Sequence, residues 1–306
     1  MRAWAKALFW ASVCLVALTV FVVYVVESVK GHMMNAPPSP PIRRPKPSIS
    51  PQENAWPLLE RAARLVGKVP DSEKEFVWRI CKAPHEEFLR KSEQVRAVLC
   101  KHEKALELLD QGLARKGLVI PVASSWFKQV QRLYPYIPAW RYLAYLKCLK
   151  GRLLLCEGRA EEGLREILDV VALGHMVQNG HGVLIHWLTG RMIEAIGLKQ
   201  LRLIPREEGF PKGAKKQAVE AWLEVCRELK KFSDPRVGLR KALAVEYCQF
   251  ETTLRSPSEM VEILAAESEG KISEAQARRR LPALYKRERT ERFVRFWYNE
   301  LSLIHI

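Results

Sequence analysis

A metalloprotease helix carries two histidines four residues apart with a glutamate after the first. The segment His85-Glu86-Glu87-Phe88-Leu89 is one side chain short of it, because Leu89 stands where the second histidine would bind the metal. His175, His181 and His186 fall in one region, but spacings of six and five do not bring neighbours onto one helical face. Within that region Asn179-Gly180-His181-Gly182 reads as a turn between helices. Glu86-Glu87 and Glu161-Glu162 could supply an acid and a base, yet paired acids at the start of a helix more often answer its dipole. Ser124-Ser125 lacks the GxSxG elbow that would expose a nucleophile and reads as a helix cap. Neither GxxxxGK[ST] nor GxGxxG occurs, so no known phosphate loop is present. No catalytic, cofactor-binding or metal-ligating residue is assigned on this basis. The chain is read as a non-enzyme that needs no cofactor.

Seven cysteines include Cys14, which lies in the N-terminal apolar run. The others are Cys81, Cys100, Cys148, Cys156, Cys226 and Cys248, an even number that permits disulfides outside the cytoplasm without defining a pairing. They lie mostly among apolar residues, where cysteine behaves as a small hydrophobe, and no CxxC favours zinc. The net charge of +16 would suit nucleic acid, anionic lipid or an acidic partner. No nucleic-acid motif accompanies it, and nucleic acid is not the expected partner. A basic C-terminal stretch, Arg278, Arg279, Arg280, Lys286, Arg287, Arg289, Arg292 and Arg295 beside Phe293, Phe296, Trp297 and Tyr298, is read as a solvated helix with an inward aromatic face, with anionic lipid as the other reading.

The elements that must position these residues begin with an apolar run. From Ala7 to Val26 no residue is charged, and a helix of roughly 20 apolar residues spans a bilayer core of about 30 Å. Bulky Val23, Tyr24, Val25 and Val26 at its end favour a retained anchor over a cleaved signal peptide. Residues 1–30 are therefore expected to form a signal-anchor transmembrane segment. Residues 31–52, containing APPSPPIRRPKPSISP, are expected to be an extended, polyproline-like linker. The charges flanking the apolar run do not decide its orientation. The short N-terminal tail is the layout of a signal anchor, and the soluble domain is expected outside the cytoplasm.

Residues 53–300 are expected to be all-α. Asn54 is a capping candidate for a first helix, with Pro57 in its first turn and Leu58, Leu59, Ala62, Leu65 and Val66 on one face. A long helix is expected from Pro84 to about Lys116, carrying Phe88, Val95, Leu99, Leu106 and Leu109. Between Pro138 and Val177 apolar residues recur every three or four positions on both sides of Glu157-Gly158-Arg159, which predicts a helical hairpin. Further helices are expected over about 182–203, 212–231, 235–255 and 257–267. The second of these has Ala218, Trp222, Val225 and Leu229 as its apolar stripe.

In the hairpin, Gly151, Leu154, Gly158, Ala160, Gly163 and Ile167 stand near the spacing of packing positions in a tetratricopeptide repeat, which the segment resembles. It departs from that pattern at Gly163, where alanine is usual, at Val170, and in lacking a closing proline. A wider stretch, from Asn54 to Asn299, resembles an uncharacterised family of bacterial membrane-anchored helical proteins. NAWPLLERAARL, ALELLDQGLARKGLVIP, LKGRLLLCEGRAEEGL and LPALYKRERTERFVRFWY carry that resemblance. It implies a helical fold, an anchor in a bacterial inner membrane with the soluble domain on the extracytoplasmic side, and no activity. The architecture expected is thus a transmembrane helix followed by TPR-like hairpins, as an α-solenoid or an irregular bundle, acting as a protein- or peptide-binding scaffold.

Residues 301–306, Leu-Ser-Leu-Ile-His-Ile, match one reading frame of the transposon end used in tagmentation libraries. They are read as adapter sequence, with the natural chain expected to continue beyond Glu300. The alternative functions are an enzyme whose site lies partly in that continuation and a structural element binding anionic lipid or an envelope polymer.

Overall fold

The computed structural model describes residues 49–121, 136–203 and 235–254, with positions 223, 227, 273, 275 and 276 besides. Residues Arg43–Thr253 form one compact unit; the other, Met1–Ile42 with Leu254–Ile306, lies almost wholly outside the described residues. The apolar run 7–26, Ser124-Ser125, the expected helices over 212–231 and 257–267 as continuous elements, the basic C-terminal stretch and residues 301–306 also lie outside them. Among the described residues no helix is long and apolar enough to cross a membrane. These residues are all-α, without a strand, and one isolated bridge pairs Asn54 with Gly117.

After a 3-10 turn at Pro51–Glu53, helix α1 runs Trp56–Val66. The Asn54 side chain accepts the Trp56 N–H at 3.0 Å, supplying the partner that the first turn of a helix lacks. The same oxygen accepts the Val119 N–H at 2.9 Å, while Asn54 Nδ2 donates to the Val119 carbonyl at 3.1 Å. Leu59, Ala62, Ala63 and Val66 are buried. Leu65, expected on the same face, is exposed, since it is turned about 100° from Val66 around the helix.

Helix α2 (Asp71–Lys82) has Asp71 and Glu73 in its first turn and Arg79 and Lys82 in its last, the signs its dipole favours. The long helix expected from Pro84 is instead three: α3 (His85–Arg90), α4 (Ser92–Lys101) and α5 (Glu103–Leu113). Phe88, Val95, Leu99, Leu106 and Leu109 do face the core. The joints fall at Lys91 (φ −105°, ψ 7°) and His102 (φ −107°, ψ 11°). At the second joint tertiary contacts override local propensity: the His102 ring is drawn inward onto Glu73 and Tyr142.

The hairpin is α6 (Tyr136–Cys156) and α7 (Ala160–Gln178). Gly158 takes φ 82° in the turn, and the Arg159 N–H closes back on the Leu154 carbonyl at 2.9 Å, so an L side chain at 158 would be strained. The two helices approach at Gly151 and Gly163. A Cβ at 163 would lie 2.6 Å from the Gly151 carbonyl oxygen, and one at 151 would lie 2.6 Å from Ile167. Gly163→Ala is therefore expected to cost about 1–3 kcal/mol, read as a lower urea midpoint, because backbone blocks the added methyl. An unchanged midpoint would show that the helices can part there freely.

Helix α8 (Leu184–Leu203) packs on α7 through a second small-residue crossing at Gly174 and Gly190. Helix α9 (Pro235–Leu254) contributes Val245 to a small cluster with Val183, and Glu246 accepts the Leu184 N–H at 2.7 Å. The main core joins α1 to α7 around Trp140, which is fully buried and meets Trp56 edge-on at 5.9 Å.

Candidate functional site

A groove of about 520 Å³ runs between α4 and α5 on one side and α6 with the turn after it on the other. The residues of its first wall, from Arg96 through Glu103 to Asp110, follow one another at three- and four-residue steps across the His102 joint. Leu99, Leu106, Leu153 and Leu154 form a nearly buried floor. The rim carries both signs of charge, but its cations are already matched. Arg96 contacts Glu157 at 2.8 Å, Lys150 contacts Glu166 at 2.6 Å, and Arg159 contacts Glu162 at 2.5 Å. Glu103 and Glu107 are exposed and have no basic partner among the described residues. What remains is a leucine floor with two unmatched carboxylates beside it.

The inner end of the groove reaches Asp110 and, through it, the most heavily charged buried point among the described residues. Lys147 is 1% exposed. Its Nζ lies 2.5 Å from Asp110 Oδ1, 2.6 Å from Glu166 Oε2 and 2.8 Å from Asp169 Oδ2. The Asp110 contact is an ion contact with poor hydrogen-bond alignment, since Oδ1 has no aligned donor. Burial disfavours the Lys147 ammonium, but the charges of Asp169 and Glu166 outweigh it and hold its pKa above the ordinary value. The Asp169 carboxyl is raised by burial, against the pull of Lys147. The three carboxylates have the mutual spacing of a divalent-cation site, with ligand atoms within 4.8 Å of one another. The lysine ammonium stands among them and supplies the positive charge itself.

A second network comes closest to catalytic chemistry. Glu73 Oε1 lies 2.6 Å from His102 Nε2 and accepts the Tyr142 hydroxyl at 2.8 Å, while Lys101 Nζ lies 2.5 Å from Glu73 Oε2. Burial raises the Glu73 carboxyl, but the hydrogen bonds from His102, Lys101 and Tyr142 prevail and hold it at about 2. The Tyr142 hydroxyl is pushed up by burial and by Glu73, away from what a base or nucleophile needs at neutral pH. With His102 and Tyr142 each 5% exposed, the network clamps α2 to α6.

The histidines singled out by sequence do not converge on a ligand. His175 Nε2 meets its neighbour Asn179 at 3.2 Å, and His181 occupies a turn with φ 52°. His186 is 1% exposed; its Nδ1 accepts the Val183 N–H at 3.0 Å and its Nε2 has no hydrogen-bond partner. Burial depresses its pKa to about 4. Glu161 pairs with Arg165 and Glu162 with Arg159 on the surface at the start of α7, while Glu86 and Glu87 lie in the first turn of α3. Cys81 and Cys148 are fully buried, and burial together with the Cys81 thiol pushes the Cys148 thiol up. Cys81, Cys100, Cys148, Cys156 and Cys248 are unbridged, and Cys226 lies outside the described residues.

Sequence reasoning expected a groove between helix pairs but gave neither its place nor its residues, and it missed both charged networks. Lys147 did leave a signal: it interrupts the apolar series Leu143, Leu146, Leu149, and Glu166 and Asp169 follow three apart on the next helix. No family model, curated protein or solved structure matches the chain.

Proposed function

We propose that the helical unit is a scaffold that binds a protein or peptide segment in the α4–α5/α6 groove. The observation that carries this reading is the leucine floor beside Glu103 and Glu107, two carboxylates left without basic partners where every rim cation is matched. Such a surface favours a segment presenting an apolar anchor next to lysine or arginine. The tetratricopeptide-like spacing of the hairpin and the resemblance to a membrane-anchored helical family support the same reading. They also support an anchor through residues 7–26 at a bacterial inner membrane, with the helical unit on the extracytoplasmic side.

The test is site-specific crosslinking from the full chain in its native membrane, with a photoreactive residue replacing Glu107 or, as a control, Arg165 on the exposed face of α7. A discrete adduct is expected from position 107 and not from 165, and Glu103→Lys should abolish it. The same adduct from both positions, or none from 107, would overturn the groove reading.

A further inference from the structure

The last turn of α2 meets the C-terminal half of α8. Gln200 Nε2 donates to the Cys81 carbonyl at 2.8 Å, which brings the adjoining Lys199 beside Lys82. Lys82 Nζ lies 3.4 Å over the ring of Trp78, which is 48% exposed. Arg141, on α6, completes the cluster: its charge acts on Lys82 and on Tyr145, and its Nε is buried without a hydrogen-bond partner. None of Lys82, Arg141 and Lys199 has a carboxylate partner among the described residues. Other cations of this unit, Arg64, Lys74, Arg96 and Arg165 among them, are paired, while Arg61, Lys68 and Arg79 are also without a carboxylate partner among the described residues.

The basic cluster continues into an apolar surface. Ile185, Leu188 and Met192 are each more than 40% exposed, and with Ala195 and Lys199 they follow one another at three- and four-residue steps along a single stripe of α8. Arg202 flanks the stripe, as does Arg191, whose charge is matched by Glu194 at 2.6 Å. A soluble helix normally buries such a row. Exposed apolar side chains with lysine and arginine at their border, and an aromatic ring beside them, are what an interfacial helix presents to anionic headgroups.

We propose that this face, the α8 stripe with Trp78, Lys82, Arg141 and Lys199, docks on an anionic phospholipid surface. The basic residues meet headgroup phosphates, and Ile185, Leu188 and Met192 enter the acyl boundary. The proposal extends the membrane-anchor reading of residues 7–26 and rests on it for the supply of a bilayer within reach. It leaves the groove, on other helix faces, open to a partner.

The full chain reconstituted in phosphatidylglycerol-containing vesicles is labelled with a diazirine phospholipid, and the labelled peptides are mapped by mass spectrometry. Label is expected on 184–203 and at Trp78 as well as on 7–26. The label outside 7–26 should fall about fivefold per charge removed in Lys82→Gln and Lys199→Gln, and should weaken in vesicles of phosphatidylcholine alone. Both variants change exposed side chains, and an unchanged thermal midpoint confirms that they fold. Met192→Asp provides an independent loss on the apolar side. Label confined to 7–26 would overturn the docking face and leave the anchor reading standing. Label on α8 without label on 7–26 would remove the anchor and keep the face. Label indifferent to both lysines and to lipid charge, or a concentration-dependent crosslink between α8 helices in place of lipid label, would overturn the proposal.

Discussion

Lys147→Met is expected to destabilise the helical unit by about 3–5 kcal/mol, read as a fall in the urea unfolding midpoint at neutral pH. Methionine keeps the apolar stem of the lysine and so leaves the packing between α6 and α7 almost unchanged. What it removes is the ammonium within 2.8 Å of Asp110, Glu166 and Asp169. Three carboxylates then face one another with only Lys150 nearby, paired to Glu166. Their repulsion raises the carboxyl pKa values, in the direction in which Asp169 already lies in the parent protein. A carboxyl raised in the folded state contributes stability that is full below its unfolded pKa and is lost as pH rises through the folded one. The deficit of the variant should therefore shrink as the solution is acidified from neutral. Adding Glu166→Gln and Asp169→Asn to Lys147→Met should recover much of the loss at neutral pH. A single-variant loss below about 1 kcal/mol would mean that water reaches the carboxylates and screens them.

His186→Asn is expected to remove the first stage of acid destabilisation. The ring is buried and neutral in the folded protein, with a pKa near 4 against an ordinary 6.5. Between these values the unfolded chain binds a proton that the folded chain does not. The parent should lose about 2 kcal/mol between pH 7.5 and pH 5, and on the order of 3 kcal/mol by pH 4, from this group alone. Asparagine keeps an acceptor for the Val183 N–H but cannot titrate, so the stability difference between pH 7.5 and pH 5 should nearly vanish whatever the absolute cost of the change. Glu73 acts lower on the scale. Its carboxyl is depressed from 4.5 to about 2, so the stability it supplies is full above about pH 4.5 and is lost as pH falls toward 2. Glu73→Gln should flatten that lower limb and leave the upper one, which separates the two groups in one titration series. If His186→Asn and the parent respond alike between pH 7.5 and 5, the buried ring is not the source of the upper limb.

The helical hairpin was legible because its apolar period, interrupted at Lys147, runs up to a glycine turn, and α6 and α7 lie where the pattern puts them. The continuous helix expected after Pro84 was not found. The apolar positions of α3, α4 and α5 stay in phase across Lys91 and His102, so periodicity alone could not show the joints. The His102 joint depends on Glu73, 29 residues earlier, and on Tyr142, 40 residues later. Partners that distant leave no local trace. Helix α2 was passed over because its charges, dense at both ends, mask the three buried residues Val77, Ile80 and Cys81.

The entry to the first helix has a mechanical side. Residues 50–55 are stapled to 115–119 by the Asn54–Val119 pair of hydrogen bonds, by the Ala55 N–H to the Gly117 carbonyl at 2.9 Å, by Arg115 to the Gln52 carbonyl at 2.7 Å, and by Lys116 to Glu53. The bridge between Asn54 and Gly117 is parallel, so a pull applied upstream of residue 49 loads these bonds together, in shear, instead of peeling them one at a time. Tension along the proline-rich segment is borne at this clasp before it reaches the groove-forming helices, and Asn54→Ala should lower the force at which α1 detaches.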